Sequence, residues 1–229
     1  MNATDWTMLA INDGRLKLED LILLVPYAQR ELGVDDDGKA GKATLNALHE
    51  ALGSEHQIVK TTVPIPKGRD AVKRVYGNPS WVKLPRGRSV DLDDAWEHKN
   101  IRSFKLHTGK RVRMHRLVGD EFVRLFKQAC DESGYTPKSV QTFNPRVIGG
   151  TDRLSMHAYG IAFDVDPRDN PWGGRRKDGS PSLLRQNMVD CLGSGKRSFV
   201  QVFEDAGWCW GGRWKRGKGD DMHFQRSLP

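Results

Sequence analysis

The chain has 229 residues, 37% of them apolar, which suffices for one domain of ordinary size plus a small one. Its apolar residues never run to the ~18 that a membrane-spanning helix needs. Thirty-seven Lys and Arg against 29 Asp and Glu give a net charge of +8, and three widely spaced cysteines, Cys130, Cys191 and Cys209, exclude a disulfide framework and a paired Cys-x-x-Cys metal site.

At the amino terminus, Asp5, Asn12, Asp13 and Arg15 interrupt Ala3 to Asp20, so no export signal is predicted and synthesis in the cytoplasm is expected. Residues 1–55 read as a small helical domain. One helix runs from Val25 through Gln29 to Leu32 and ends at Gly33, Asp37-Gly38 marks a turn, and Leu45, Leu48 and Leu52 mark a second helix by their spacings of three and four. So short a domain has little core, and a compact bundle of modest stability is expected. Residues 56–67, with Thr61-Thr62, Pro64 and Pro66, suit an exposed and partly extended linker, although Pro64 to Gly68 could equally pack on the larger domain.

Residues 68–229 form that larger predicted domain. His115 to Glu132 places Leu117, Val118, Phe122, Leu125, Phe126 and Ala129 on one stripe and stops before Ser133-Gly134, as an amphipathic core helix does, with Cys130 on its inner side as a small buried hydrophobe. A second helix is predicted over Phe199 to Ala206. From Gly160 to Asp166, Ile161, Phe163 and Val165 alternate with Ala162, Asp164 and Asp166, the pattern of a half-buried strand, and Met222 to Gln225 is predicted as its neighbour. The expected fold is α+β, helices packed on a small antiparallel sheet, preceded by the small three-helix domain. Trp172, Trp208, Trp210 and Trp214 gather in the last third, most of them for the core and some available to line a groove.

Within this frame, Ser155-Met156-His157-Ala158-Tyr159-Gly160-Ile161-Ala162-Phe163-Asp164 and the late Asp220-Asp221-Met222-His223-Phe224 offer two imidazoles and a carboxylate for one metal. A catalytic zinc site uses three protein ligands and keeps a fourth position for water, and His157, Asp164 and His223 supply that set. Asp164 would project from a strand, while Gly160 permits a sharp turn that folds His157 back toward it. A single histidine is usually a surface or satisfied core residue; the combination is what carries weight here.

Ser-x-His-x-x-Gly-x-Ala-x-Asp with a late acid-x-x-His resembles the zinc peptidases of bacterial cell walls, the D-alanyl-D-alanine carboxypeptidase and L-alanyl-D-glutamate endopeptidase family. Gly207-Trp208-Cys209-Trp210-Gly211-Gly212-Arg213-Trp214 resembles that family's closing segment and Tyr76-Gly77-Asn78-Pro79 its opening segment, so the resemblance spans roughly Gly68 to Pro229. It implies Zn2+ held by His157, Asp164 and His223, with Asp220 as the general base that takes the proton of the attacking water. Asp221 competes for that role. Neighbours in an extended segment point to opposite sides, so one acid faces the metal, and Asp221 is then exposed or orients a ligand histidine. Phe143 to Gly150 matches a region where the family places a basic substrate-facing residue. Arg146 is the candidate and Arg153 its competitor, because a guanidinium fork suits a carboxylate or carbonyl oxygen. Ser155 and Tyr159 are expected as substrate-side donors, with Ser155 alternatively holding the turn that aims His157. In the amino-terminal stretch, Gln29, Leu32-Gly33, Asp37-Gly38, Gly41, Thr44 and Ala47-Leu48 resemble the three-helix peptidoglycan-binding module of wall hydrolases, which implies a wall anchor.

A wall-degrading enzyme without an export signal resembles a bacteriophage endolysin, made in the host cytoplasm and acting on the cell wall in the periplasm after release. The expected partner is peptidoglycan, cut in its stem peptide at L-alanyl-D-glutamate, with D-alanyl-D-alanine as the alternative bond, and a monomer is expected. Basic clusters at Lys110-Arg111-Arg113-Arg116, Arg175-Arg176-Lys177 and Arg213-Lys215-Arg216-Lys218 could meet anionic envelope polymers. Two rival classes stand beside the enzyme. A nucleic-acid-binding protein would explain the charge, but zinc-finger spacing, an RNA-binding aromatic signature and a heptad-linked basic helix are all missing, so no nucleic acid is expected as partner. A noncatalytic wall-binding protein is disfavoured by the intact ligand set.

Overall fold

Alternating side chains on two short strands, Ala162–Val165 and His223–Gln225, sort the molecule into a packed side and a chemical side. The computed structural model describes residues 63–214 and 219–228. The predicted amino-terminal helices and wall-anchor module, the linker up to Thr62, and Lys215, Arg216 and Lys218 lie outside the described residues.

In chain order the elements are α1 (Arg69–Tyr76), β1 (Trp81–Lys83), β2 (Val90–Leu92), α2 (Asp94–Asn100), β3 (Ile101–Lys105), β4 (Arg111–His115), α3 (Gly119–Ser133), β5 (Val140–Gln141), a 3-10 turn (Met156–Tyr159), β6 (Ala162–Val165), α4 (Leu183–Cys191), α5 (Phe199–Asp205), β7 (Cys209–Trp210), a second 3-10 turn (Gly211–Arg213) and β8 (His223–Gln225). β1 with β2 and β3 with β4 make two antiparallel hairpins. The third sheet is antiparallel throughout, in the order β5-β6-β8-β7. This is the α+β arrangement of helices on small antiparallel sheets, with five α-helices among the described residues.

Register does the sorting. Phe163 faces Phe224 and Asp164 faces His223 across β6 and β8, so the pleat sends the two phenylalanines to one side and the two polar residues to the other. On the apolar side the Phe163 and Phe224 rings lie parallel at 4.8 Å. Phe122 of α3 and Phe203 of α5 each sit 4.8 Å from Phe163, and Trp208 closes the cluster at 5.4 Å. Truncating a ring in such a core costs about 3–5 kcal/mol, so this cluster is what makes the sheet a rigid base. α5 begins with a capping box, Ser198 with Gln201.

Three expectations need correction. β6 is buried along its whole length and not on one face only, because helices cover its apolar side while the 3-10 turn and the residues of the site cover the other. The strand also ends at Val165. Asp166 takes the left-handed region with φ 41° and turns its carboxylate to accept from Tyr135 Oη (2.7 Å), Ser139 N (2.6 Å), Lys138 N (3.1 Å) and Ser139 Oγ (3.1 Å). It therefore does not share the face of Asp164. The long helix starts at Gly119, because His115 ends β4 opposite Ile101 and Leu117 and Val118 belong to the turn between them. At Pro66 the alternative expected for Pro64 to Gly68 holds: Pro66 is buried, Leu228 N donates to its carbonyl (2.9 Å), and Arg226 donates to Val63 O (3.3 Å), while Pro64, Ile65 and Lys67 stay exposed.

Cys130 is buried on α3 as expected, and burial pushes its thiol up to about 11, which keeps it protonated and unreactive. All three cysteines are free. No helix among the described residues is long and apolar enough to cross a membrane.

Candidate metal centre

His157 is delivered by the 3-10 turn before β6. Ser155 caps that turn, its hydroxyl accepting from His157 N at 3.3 Å, and Gly160 ends it with φ 67°. A side chain at Gly160 would put a Cβ 2.7 Å from His115 N and 2.8 Å from Ile101 Cδ1, so only glycine lets the turn close this tightly against β3 and β4. Asp164 and His223 arrive from adjacent strands in register.

The three side chains converge. His157 Nε2 lies 3.1 Å from Asp164 Oδ1 and 3.2 Å from His223 Nδ1, and His223 Nδ1 lies 3.0 Å from Asp164 Oδ1. Ligands held ~2.0–2.1 Å from a tetrahedral zinc stand about 3.3 Å apart, so the three atoms are already spaced for one ion. All three residues are buried. The remaining ring nitrogens fix the tautomers. His157 Nδ1–H donates to Thr142 O at 2.7 Å, and His223 Nε2–H donates to Gln225 Oε1 at 3.1 Å, leaving a lone pair on each converging nitrogen. Gln225 is oriented in turn by donating to Ser227 O (3.1 Å) and Ser227 Oγ (3.0 Å). Burial opposes ionisation of Asp164, but when the two imidazoles are instead protonated, their hydrogen bonds and charges outweigh it and hold its carboxyl below the usual range.

A cavity of about 450 Å³ opens beside these residues. Its wall includes Arg69, Arg88, Arg146, Ser155, Trp214, Asp220 and His223. Asp220 N donates to Gly211 O (3.0 Å) and Asp220 O accepts from His223 N (3.1 Å). Gly211 permits this fit, since a Cβ there would meet Asp220 O at 2.5 Å. Asp220 Oδ1 is buried without a hydrogen-bond partner among the described residues. Burial raises its pKa, with attraction to His223 opposing and repulsion from Asp164 adding.

Residues 149–226 match the family model described as D-alanyl-D-alanine carboxypeptidase. The matched stretch is a zinc metallopeptidase segment. Zinc is its cofactor, and the buried His157, Asp164 and His223 fit that ion. The metallopeptidase segment takes in all three of these residues, Asp220 and the Gly207–Trp214 stretch, but it is narrower than the resemblance from Gly68 onward and leaves out Tyr76–Pro79. No curated protein and no solved structure matches the chain.

The other candidates separate. Asp221 is neither exposed nor in contact with a ligand histidine. It is 0% exposed and bound by Arg185 through Nε (2.6 Å) and Nη2 (2.9 Å), with Ser182 Oγ donating to the same carboxylate. Trp210 Nε1 donates to its backbone carbonyl at 2.8 Å. Asp221 thus anchors the metallopeptidase loop that carries Asp220. Arg185→Ala strands this buried carboxylate and is expected to cost about 3–5 kcal/mol. Asp221→Asn leaves a guanidinium whose side chain is 41% exposed, which water can solvate, so a loss of about 1–2 kcal/mol is expected. Urea denaturation of both variants measures the difference, and equal losses would contradict this asymmetry.

Arg146 lines the cavity and Arg153 does not; Arg153 is exposed in the Ile148–Arg153 turn. Ser155 both lines the cavity and caps the turn. Tyr159 lies away from the cavity wall, 3% exposed in the core with its ring edge-on to Trp96 at 6.2 Å. Trp208 and Trp210 are core residues, Trp172 is 66% exposed, and Trp214 lines the cavity with its ring 5.3 Å from that of His223. Thr142, Gln225, Arg69 and Arg88 escaped the sequence reading. Only Gln225 carried a signal there, since two residues after His223 on a strand is the same face.

Proposed function

We propose that the protein is a zinc-dependent peptidoglycan hydrolase that cleaves the stem peptide at the L-alanyl-D-glutamate bond. The observation that carries this reading is the unpartnered Asp220 carboxylate on the wall of an arginine-lined cavity that also exposes the metal ligand His223. Zinc, when bound by His157, Asp164 and His223, supplies Lewis acidity, which acidifies water and stabilises charge developing on a carbonyl oxygen. Asp220 takes the proton of the attacking water at Oδ1 and returns it to the departing amine. Arg146, half-buried on the same wall, binds a carboxylate of the substrate and so fixes the peptide against Asp220. Ser155 is a second, neutral donor on that wall.

The D-alanyl-D-alanine bond is the second reading, favoured by the description of the matched family. A monomeric endolysin acting on the wall after release, anchored by residues 1–55 and joined through 56–67 to a catalytic domain over 68–229, is the organisation we propose around this chemistry. Contact of the exposed basic residues with anionic envelope polymers belongs to the same proposal. Part of that charge has internal partners: Arg113 pairs with Glu97, Arg213 with Glu204, and Arg176 with Asp178. Mass spectrometry of muropeptides digested by the zinc-loaded chain tests the reading. A new amino-terminal D-glutamate supports the endopeptidase, released D-alanine supports the second reading, and intact muropeptides refute both.

A further inference from the structure

The wall of the cavity carries more positive charge than one carboxylate requires. Arg69 is committed to the fold, its Nη1 donating to Leu154 O at 2.9 Å. Arg88 and Arg146 have neither an ion pair nor a side-chain hydrogen bond among the described residues, yet both line the cavity that holds Asp220 and His223.

Backbone pairing sets these two side by side. Ser89 and Arg146 form an antiparallel bridge, Val147 N donates to Arg88 O at 2.8 Å, and Val90 N donates to Pro145 O at 3.1 Å. The Arg88 guanidinium lies against Gly149, where a Cβ would stand 3.4 Å from Nη1. Burial lowers the Arg146 pKa, attraction to Asp164 and Asp220 raises it, and repulsion from Arg88 lowers it. Arg146 is thus the inner guanidinium, near the reacting groups, and the exposed Arg88 is the outer one. Two unpaired like charges on adjoining segments repel, and an anion at each fork removes that cost.

We infer that Arg88 and Arg146 form a two-point clamp for a peptide bearing two carboxylates, Arg146 taking the one beside the scissile bond and Arg88 one further along. The inference rests on the peptidase reading and deepens it, making Arg88 a specificity determinant for doubly acidic stem peptides. The test uses the zinc-loaded full chain and three synthetic peptides of L-alanyl-γ-D-glutamyl-diamino acid: one with both carboxylates free, one with the glutamyl carboxylate as carboxamide, one with the distal carboxylate as carboxamide.

Distal amidation is expected to lower kcat/KM of the wild type about 10- to 100-fold, the range of one charge-assisted hydrogen bond, mainly through KM. Arg88→Ala is expected to cleave the free and distally amidated peptides equally, at the wild-type rate for the amidated one. Arg88→Lys keeps the charge without the fork and should fall between them, while zinc content reports that each variant is folded. A wild type indifferent to distal amidation, or an Arg88→Ala that still discriminates as the wild type does, overturns the clamp. If zinc-loaded wild type cleaves none of the three, the L-alanyl-D-glutamate reading fails and the clamp falls with it.

Discussion

Asp220→Ala is expected to keep zinc and to lower kcat by about 10²- to 10⁴-fold, the usual contribution of a general base. The two halves of that expectation have separate grounds. Zinc stays because the three converging atoms belong to His157, Asp164 and His223, and each histidine is aimed by its own acceptor, Thr142 O or Gln225 Oε1, without help from Asp220. Turnover falls because Asp220 Oδ1 is buried without a partner, so its removal breaks no hydrogen bond of the fold and takes away only a proton acceptor. Asp220→Asn keeps the shape without the basicity and should fall as far. Zinc content by atomic absorption and kcat on muropeptides check both variants. Near-normal turnover would remove Asp220 from the role of base, and loss of metal together with activity would make it a ligand instead.

What was legible in the sequence is what depends on period and spacing. Alternation over Ile161 to Val165 marked the strand by the facing of its side chains, although both faces are buried, and the stripe Phe122, Leu125, Phe126, Ala129 marked the helix, because both patterns repeat within one element. The ligand set was legible for the same reason: the strand and the glycine turn before it set two of its members, and a second short strand the third. What depended on a distant partner was hidden. Nothing near Asp221 announces that Arg185, 36 residues away, claims its carboxylate. Asp166 leaves the strand because Tyr135 and Ser139 hold it from 31 and 27 residues away. His115 looked helical because Leu117 and Val118 extend the apolar stripe, yet its pairing with Ile101 across the hairpin decides its state. The hairpins themselves gave weak signals, since strands such as β1, with Val82 70% exposed, lack a buried alternation to read. Arg88 belongs to the same class: its nearness to Arg146 is a consequence of register between Ser89 and Arg146 and of nothing in its own neighbourhood.

His157→Ala is expected to abolish zinc binding and activity together, and Gln225→Ala to weaken zinc binding about 10- to 100-fold while leaving activity recoverable in excess zinc. His157 contributes the nitrogen that stands 3.1 Å from Asp164 Oδ1 and 3.2 Å from His223 Nδ1, so without it two ligands remain, fewer than the three protein ligands of a catalytic zinc site. Gln225 touches only the far side of the His223 ring. Its loss frees the tautomer and the ring orientation but removes no ligand, so the defect lies in affinity, which concentration restores by mass action. The same linkage predicts a thermal signature. An ion that binds only the folded chain stabilises it by about 2.7 kcal/mol at a free concentration one hundred times its Kd. The wild-type Tm should therefore climb with added zinc and drop with chelator, the Gln225→Ala curve should climb at correspondingly higher zinc, and His157→Ala should not respond. A His157→Ala protein that still gains Tm from stoichiometric zinc would move the metal away from this triad, and the proton chemistry assigned to Asp220 would move with it.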